Sequence, residues 1–433
     1  MKIELQRKNE AVKRTFRLPG DKSIAHRSLI IGALGKGSYK IYNFPRSLDC
    51  LSTLHCMKNI GIEAENNEDG IYVYSPGYEN FSKVSVSLNA NNSGTTARLL
   101  SGLICGCGIE ASIDGDDSLR KRPMDRVVVP LKAMGASIES SSNLLPLKFM
   151  ASEKLKGIKY KMPVDSAQVK SCVLIAGFMA EGETIVIENK STRDHTERMF
   201  KALGADIAVN ENSITIKNSD ITVKDIYIPG DISSAAFILA CFLLSIDSEV
   251  RIEKVLLNKR RRKYLDILKR MGASLSYEIS KNINGELVGN IAASSSRLNG
   301  VKIAAEEVPN IIDEIPMLSV LAAFSSGTTV IEGIKELKYK ESNRIKAIAN
   351  NLNSIGIKVI YSDESLEIIG KDCLVNKEVH INPYSDHRIA LAFTAFAMRN
   401  EGITVIDNWD CTNISFPDSL KYFKEIFDIH IHR

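Results

Sequence analysis

The chain has 433 residues, 44% of them hydrophobic and 25% charged, and its 56 basic and 52 acidic residues leave a formal net charge of +4. That length predicts two or three domains, the composition is that of a globular protein, and so small a net charge excludes a general polyanion-binding surface. Eight scattered cysteines with no CxxC pair argue against a disulfide or metal framework and for a reducing cytoplasm.

The first twenty residues lack the apolar stretch of a signal peptide. The longest apolar run, AAFILACFLLSI at 235–246, is shorter than the ~20 residues that span a bilayer. Next comes LPGDKSIAHR at 18–27, where Pro19 and Gly20 reverse the chain and an apolar-periodic helix begins. A helix start exposes unpaired N–H groups, so Lys22, the Ser23 hydroxyl and Arg27 one turn on make a candidate cradle for phosphate or carboxylate.

Five further apolar helices follow, each opening on polar side chains. NNSGTTARLL places Gly94 where a ligand can approach backbone N–H groups, VDSAQVK sets Ser166 and Gln168 at a start, and PGDISS at 229–234 repeats the phrase of residues 19–23. IIDEIPM carries Asp313 and Glu314, and YSDHRIA carries His387 and Arg388. Two basic loops lie beside these, LRKRPMD with Arg120, Lys121 and Arg122, and KYKESNRIK with Lys340, Glu341 and Arg344. Read as helical, the latter puts Lys340 and Arg344 on one face and Glu341 next to Arg344. Arginine offers a bidentate fork, so Arg122, Arg344 and Arg388 suit a small substrate with phosphate and carboxylate groups. Asp313 and Glu341 are the carboxylates placed for proton transfer.

Other motifs point away from function. KRRRK at 259–263 falls on a predicted helix without interleaved aromatics, and a solvated face is expected rather than a nucleic-acid contact. HIH at the tail lacks Cys or carboxylate companions, so no metal is expected. No GxxxxGK[ST] or GxGxxG occurs.

Internal repetition organises the whole chain. The phrase apolar-Lys-x-apolar-Gly recurs as MKNIG, LKAMG, FKALG and LKRMG, and as LNSIG with Asn for Lys. Its glycines are Gly61, Gly135, Gly204, Gly272 and Gly356, and FKEIF ending at Phe427 is a sixth, degenerate copy. Each reads as a helix ending at a C-cap glycine that feeds a strand. Six units of about 70 residues, each a helix, a strand, a helix and one or two strands, divide as three and three. The expected lobes are 19–228, and 1–18 with 229–433, the strand at 1–17 closing the last unit. Residues 18–20 and 228–230 would then form a double hinge beside a ligand cleft.

Taken together, PGDKSIAHR, NNSGTTARLL, LRKRPM, DSAQ, DEIP, KESNR, SDHR and SFPD, in order from residue 19 to 418, resemble the enolpyruvyl transferases, in particular those acting on shikimate 3-phosphate. The resemblance implies a two-lobed inverse α/β barrel of six βαβαββ repeats, three per domain, with the active site in the interdomain cleft. It implies transfer of the enolpyruvyl group of phosphoenolpyruvate to the 5-hydroxyl of shikimate 3-phosphate, with release of phosphate, on the way to chorismate and the aromatic amino acids. It also implies a cytoplasmic monomer that needs no cofactor or metal and binds neither nucleic acid nor membrane. By that analogy Lys22, Ser23, Arg27, Ser166, Gln168, Asp313 and Lys340 hold shikimate 3-phosphate, with Arg193 a weaker candidate at its phosphate. Lys22, Gly94, Arg122, Gln168, Arg344 and Arg388 hold phosphoenolpyruvate. Asp313, Glu341 and Lys22 are the catalytic set. One departure is Ile414, where many members have a lysine. The alternative is transfer to UDP-N-acetylglucosamine; that sister branch has a cysteine where this chain has Asp117, and Lys-Asn where it has Lys22-Ser23.

Overall fold

The computed structural model describes residues 1–82, 84–151, 153–371, 375 and 377–432. Cys373, one of the eight cysteines, and Arg433, the end of the tail DIHIHR, lie outside them. The chain divides into two compact units. The inner unit comprises Gly20–Ile228 with Asn282–Glu286, and the terminal unit comprises Met1–Pro19, Pro229–Lys281 and Leu287–Arg433.

Six apolar helices form the cores. In the terminal unit Ile232–Leu244, Ile315–Ala323 and His387–Ala397 are buried at every residue, so each is surrounded by protein rather than lying half in water. Each fully buried Ile, Leu or Phe in them contributes about 1.5–3 kcal/mol. In the inner unit the counterparts are Lys22–Ile30, Gly94–Cys107 and Ala167–Met179. The last two pack closely because position 102 has no side chain: a Cβ on Gly102 would lie 2.3 Å from the Cys172 carbonyl oxygen. Short polar side chains start five of the six: Asp21, Ser93, Ser166, Asp231 and Asp386 each accept a backbone N–H of the first turn. The helix Ile315–Ala323 instead follows Glu314 and has Pro316 in its first turn, where a missing N–H costs nothing.

Among the described residues the strands form six four-stranded sheets, three to each unit's repeats. A representative one runs Lys159–Lys161, Glu183–Ile187, Ser213–Lys217, Ile207–Asn210, with its first pair parallel and the other two antiparallel. The parallel pair brackets the buried helix, because a parallel connection needs a crossover. Each repeat is therefore strand, helix, strand, helix and two strands. In the first repeat of each unit the leading strand comes from elsewhere in the chain. Ile226–Tyr227 leads the sheet of Lys36–Tyr42, and Lys13–Arg17 leads that of Glu249–Leu256. The repeat glycines Gly61, Gly135, Gly204, Gly272 and Gly356 all have positive φ, between 88° and 128°, as C-caps require.

Three sequence expectations need correction. Residues 1–17 are not one strand. Lys2–Arg7 closes the last sheet between Thr404–Ile406 and Phe427–His432, whereas Lys13–Arg17 joins a different sheet, the chain turning where Val12 is buried and its N–H bonds Ser248 Oγ. KESNR is not helical throughout: Asn343 caps Lys346 N–H, the helix starts at Arg344, and Lys340 and Glu341 precede it. KRRRK is not a solvated helix face. The helix begins only at Lys263, and Arg261 is buried, donating to Ser233 Oγ at 3.0 Å.

Candidate active site

In the inner unit, three helix starts carry an interlinked set of hydroxyls, amides and cations. Lys22 Nζ lies 2.9 Å from Asp49 Oδ2, and both side chains keep some exposure. Behind them His26 Nδ1 hydrogen-bonds Thr53 Oγ1 at 2.6 Å, Thr53 bonds Thr96 Oγ1 at 2.7 Å, and Thr96 bonds Ser93 Oγ at 2.7 Å. Burial, then the nearby charges of Lys22 and Arg27, holds His26 well below its ordinary pKa, with Asp21 opposing. The imidazole is therefore neutral at neutral pH, and the relay it begins carries no net charge.

Gly94 opens the helix that follows Ser93, and a Cβ there would be 2.9 Å from Arg98 Nη1 and 3.6 Å from Arg122 Nη1. The glycine thus keeps a floor open between two guanidinium groups. Arg122 donates to Asn92 Oδ1 at 2.9 Å, and Arg98 donates to Gln168 Oε1 at 2.7 Å while Gln168 Nε2 donates to Thr95 Oγ1 at 2.9 Å. Gly94, Arg122 and Gln168 are consequently brought together. Arg27 is placed differently, almost wholly buried. Its three nitrogens donate to Ser23 O, Ser171 Oγ and Thr196 Oγ1 at 2.6–2.8 Å, so it braces the helix start as well as charging it. Ser23 and Ser166 stay partly exposed at their helix starts, as does Arg193 between two buried neighbours.

The terminal unit presents a denser ionic cluster. Arg344 is 1% exposed and faces three carboxylates: Asp386 at 2.8 Å, Glu341 at 2.5 Å and Asp313 at 3.5 Å. Burial works against its charge but is outweighed by Asp386, Glu341 and Asp313, and the guanidinium ends well above its ordinary pKa. Arg388 Nε lies 3.6 Å from the same Asp313 Oδ1, and its Nη1 donates to the Asp313 carbonyl at 3.1 Å. Asp386 also accepts from Ser342 Oγ and from the Arg388 N–H, tying the KESNR segment to the last buried helix. Asp313, Glu341, Arg344 and Arg388 are thereby brought together within one unit, and partly exposed Lys340 adjoins Glu341 in sequence. Ile414 ends the short turn Trp409–Ile414 and remains partly exposed.

Sequence reasoning passed over Arg98 and His26, and it read Arg261 as part of a solvated face. Arg98 was legible as the residue one turn after Gly94. The roles of His26 and Arg261 depend on partners 27 and 28 residues away, Thr53 and Ser233.

The fold and site define a repeated α/β protein whose cationic and carboxylate side chains gather at or beside the starts of buried helices. Comparison with known proteins narrows the class. The chain belongs to the EPSP synthase (3-phosphoshikimate 1-carboxyvinyltransferase) family, which it matches over residues 6–423. It is 54% identical over 419 residues to a 3-phosphoshikimate 1-carboxyvinyltransferase of Clostridium tetani, covering 97% of this chain and 95% of the relative. It is 41% identical to that of Petrotoga mobilis, covering 99% and 100%. A solved EPSP synthase from Acinetobacter baumannii superposes with a TM-score of 0.89 at 34% identity over the full length of both chains. The enolpyruvyl transferase NikO from Streptomyces tendae shares the fold, with a TM-score of 0.78 at 16% identity over 99% of this chain and 98% of that one. Among the described residues no helix is long and apolar enough to cross a membrane.

Proposed function

We propose that this protein transfers the enolpyruvyl group of phosphoenolpyruvate to the 5-hydroxyl of shikimate 3-phosphate, releasing phosphate, as a cytoplasmic monomer. Family membership supports the reaction, and the observation that carries the roles is Asp313, held at one oxygen by Arg344 and Arg388 with Glu341 on the same arginine. Two acidic substrates need surrounding cations, and a carboxylate fixed among them is oriented to take a proton without wandering.

Asp313 accepts the proton of the attacking hydroxyl as its oxygen bonds to the central carbon of phosphoenolpyruvate. Glu341 or Lys22 delivers a proton to the methylene carbon, giving a tetrahedral adduct. The proton roles then reverse: the methyl group returns a proton, the carbon–oxygen bond to phosphate breaks and the enol ether forms. Arg122, Arg344 and Arg388, with Gln168 and the Gly94 floor, hold phosphoenolpyruvate. Lys22, Ser23, Arg27, Ser166, Gln168, Asp313 and Lys340 hold shikimate 3-phosphate, whose phosphate also meets Arg193. Lys22 and Asp49 form a preset ion pair, so the lysine is oriented before substrate arrives.

Phosphate release from phosphoenolpyruvate decides the reading. It is expected with shikimate 3-phosphate and not with UDP-N-acetylglucosamine. Release only with the nucleotide sugar, or with neither acceptor, overturns the proposal.

A further inference from the structure

Lysine is almost never fully buried unless paired. Lys170 has no exposed side-chain surface, and its Nζ stands 3.0 Å from Glu188 and 2.6 Å from Glu197, which are likewise buried. Both contacts are ion pairs whose angles fall outside hydrogen-bond geometry. One ammonium between two carboxylates deep in a protein carries a large desolvation cost, and losing it would strand two negative charges.

The two carboxylates lie on either side of one short segment. Glu188 accepts from the Thr192 N–H at 3.0 Å and from the Thr192 hydroxyl. Asp194 pairs with Arg198 at 2.9 Å, His195 with Glu286 at 2.6 Å, Thr196 with Arg27 and Ser171, and Glu197 with Lys170. From 192 to 197 every side chain is buried except that of Arg193. Lys170 also sits one turn into the helix begun by Ser166, its N–H bonding the Ser166 carbonyl at 3.0 Å. A single cation thus fastens both ends of the Arg193 segment to the helix that starts with Ser166 and Gln168.

We infer that Lys170 is a positioning residue for shikimate 3-phosphate, fixing Arg193 against the Ser166 helix start so that the substrate's phosphate is recognised. The inference rests on the proposed acceptor and deepens it: Lys170 touches no substrate and acts through Arg193. Its removal should weaken recognition of the phosphate group specifically, leaving phosphoenolpyruvate and the proton-transfer residues alone.

The test uses the full chain in four forms: wild type, Arg193→Ala, the pair Lys170→Met/Glu197→Gln, and all three changes together. The paired substitution removes one charge of each sign and keeps volume. In it the KM for shikimate 3-phosphate should rise at least ~10-fold, with KM for phosphoenolpyruvate and kcat within about twofold. The preference for shikimate 3-phosphate over shikimate as acceptor should shrink by a similar factor. In the Arg193→Ala background the same pair should cost less than about twofold, because residues acting as a unit are not additive. Glu197→Gln alone, which retains the lysine, serves if the pair does not fold, with an expected rise of about 3-fold in that one KM. Equal rises in both KM values, an unchanged acceptor preference, or full additivity with Arg193→Ala overturns the inference while wild-type turnover stands. Absence of shikimate 3-phosphate-dependent turnover in the wild type overturns the proposed function and this inference with it.

Discussion

The two units share one repeat yet differ in what lies at their helix starts. The terminal unit gathers full charges, with Arg344 and Arg388 against Asp313, Glu341 and Asp386. At the corresponding helix starts the inner unit builds a neutral relay, His26 to Thr53 to Thr96 to Ser93, with amide and guanidinium contacts beside it. A cluster of opposite charges holds its carboxylates in one orientation, which the proposed proton transfer requires. The relay's side chains are instead fully buried and bond one another, so they brace the helix starts without adding a charge beneath them. In the proposed reaction the terminal unit supplies Asp313 and Glu341 for proton transfer, while both units supply cations for the acidic substrates.

Breaking the ionic side of this contrast should have the largest effect. Arg344→Leu leaves three carboxylates around a buried apolar group and is expected to cost about 3–5 kcal/mol, read from chemical denaturation. Arg344→Lys keeps charge without the fork and should fall between. A loss below about 1 kcal/mol for Arg344→Leu would mean the cluster behaves as a solvated surface network. Next come the carboxylates proposed for proton transfer. Asp313→Asn or Glu341→Gln should lower turnover by at least ~100-fold while leaving both KM values largely intact. Near-normal kcat in both variants would remove the carboxylates from those roles.

The contrast was only partly legible in the sequence. The buried helices stood out because most are apolar nearly all round and five of the six begin with a capping side chain, and the C-cap glycines marked the helices that follow them. Asp313 and Arg388 were visible because they open apolar helices, and Glu341 and Arg344 because they stand in the basic segment KYKESNRIK. What was hidden depends on distance along the chain. Nothing in VKSC says that Lys170 turns inward, since its partners are 18 and 27 residues on. Nothing in KRRRK distinguishes Arg261, which pairs with Ser233, from Lys259, which is exposed. Periodicity reports which face is apolar; it does not report which polar residue on that face has found a buried partner.

The proposed anion floor of the inner unit can be tested at Gly94. A Cβ there would sit 2.9 Å from Arg98 Nη1, the far end of a flexible side chain, so the helix itself should tolerate alanine. Alanine even gains up to about 1 kcal/mol of helix propensity over glycine. The displacement falls on the contact from Arg98 to Gln168, 2.7 Å long. Gly94→Ala is therefore expected to raise KM for phosphoenolpyruvate by about 3–10-fold with unchanged or higher stability. An unchanged KM would show that Arg98 has room to move and that the floor is not set by this glycine.

The smallest effect tests whether the relay is neutral by design. Folded His26 stays unprotonated well below its ordinary pKa because burial and the neighbouring Lys22 and Arg27 oppose its charge. In the unfolded chain the imidazole takes up a proton near pH ~6.5. Below that pH the unfolded state binds more protons than the folded one, so stability falls with acidification, by at most about 1.4 kcal/mol per pH unit from this group. The contribution is fully present above the unfolded value and is lost as pH drops toward the folded one. His26→Gln, which cannot titrate, should be less stable at pH 7 through loss of the 2.6 Å contact with Thr53, yet should show a shallower decline between pH 6.5 and 5. Parallel pH–stability curves for the two proteins would mean that His26 titrates as freely when folded as when unfolded, and the contrast between a neutral relay and an ionic cluster would lose its first half.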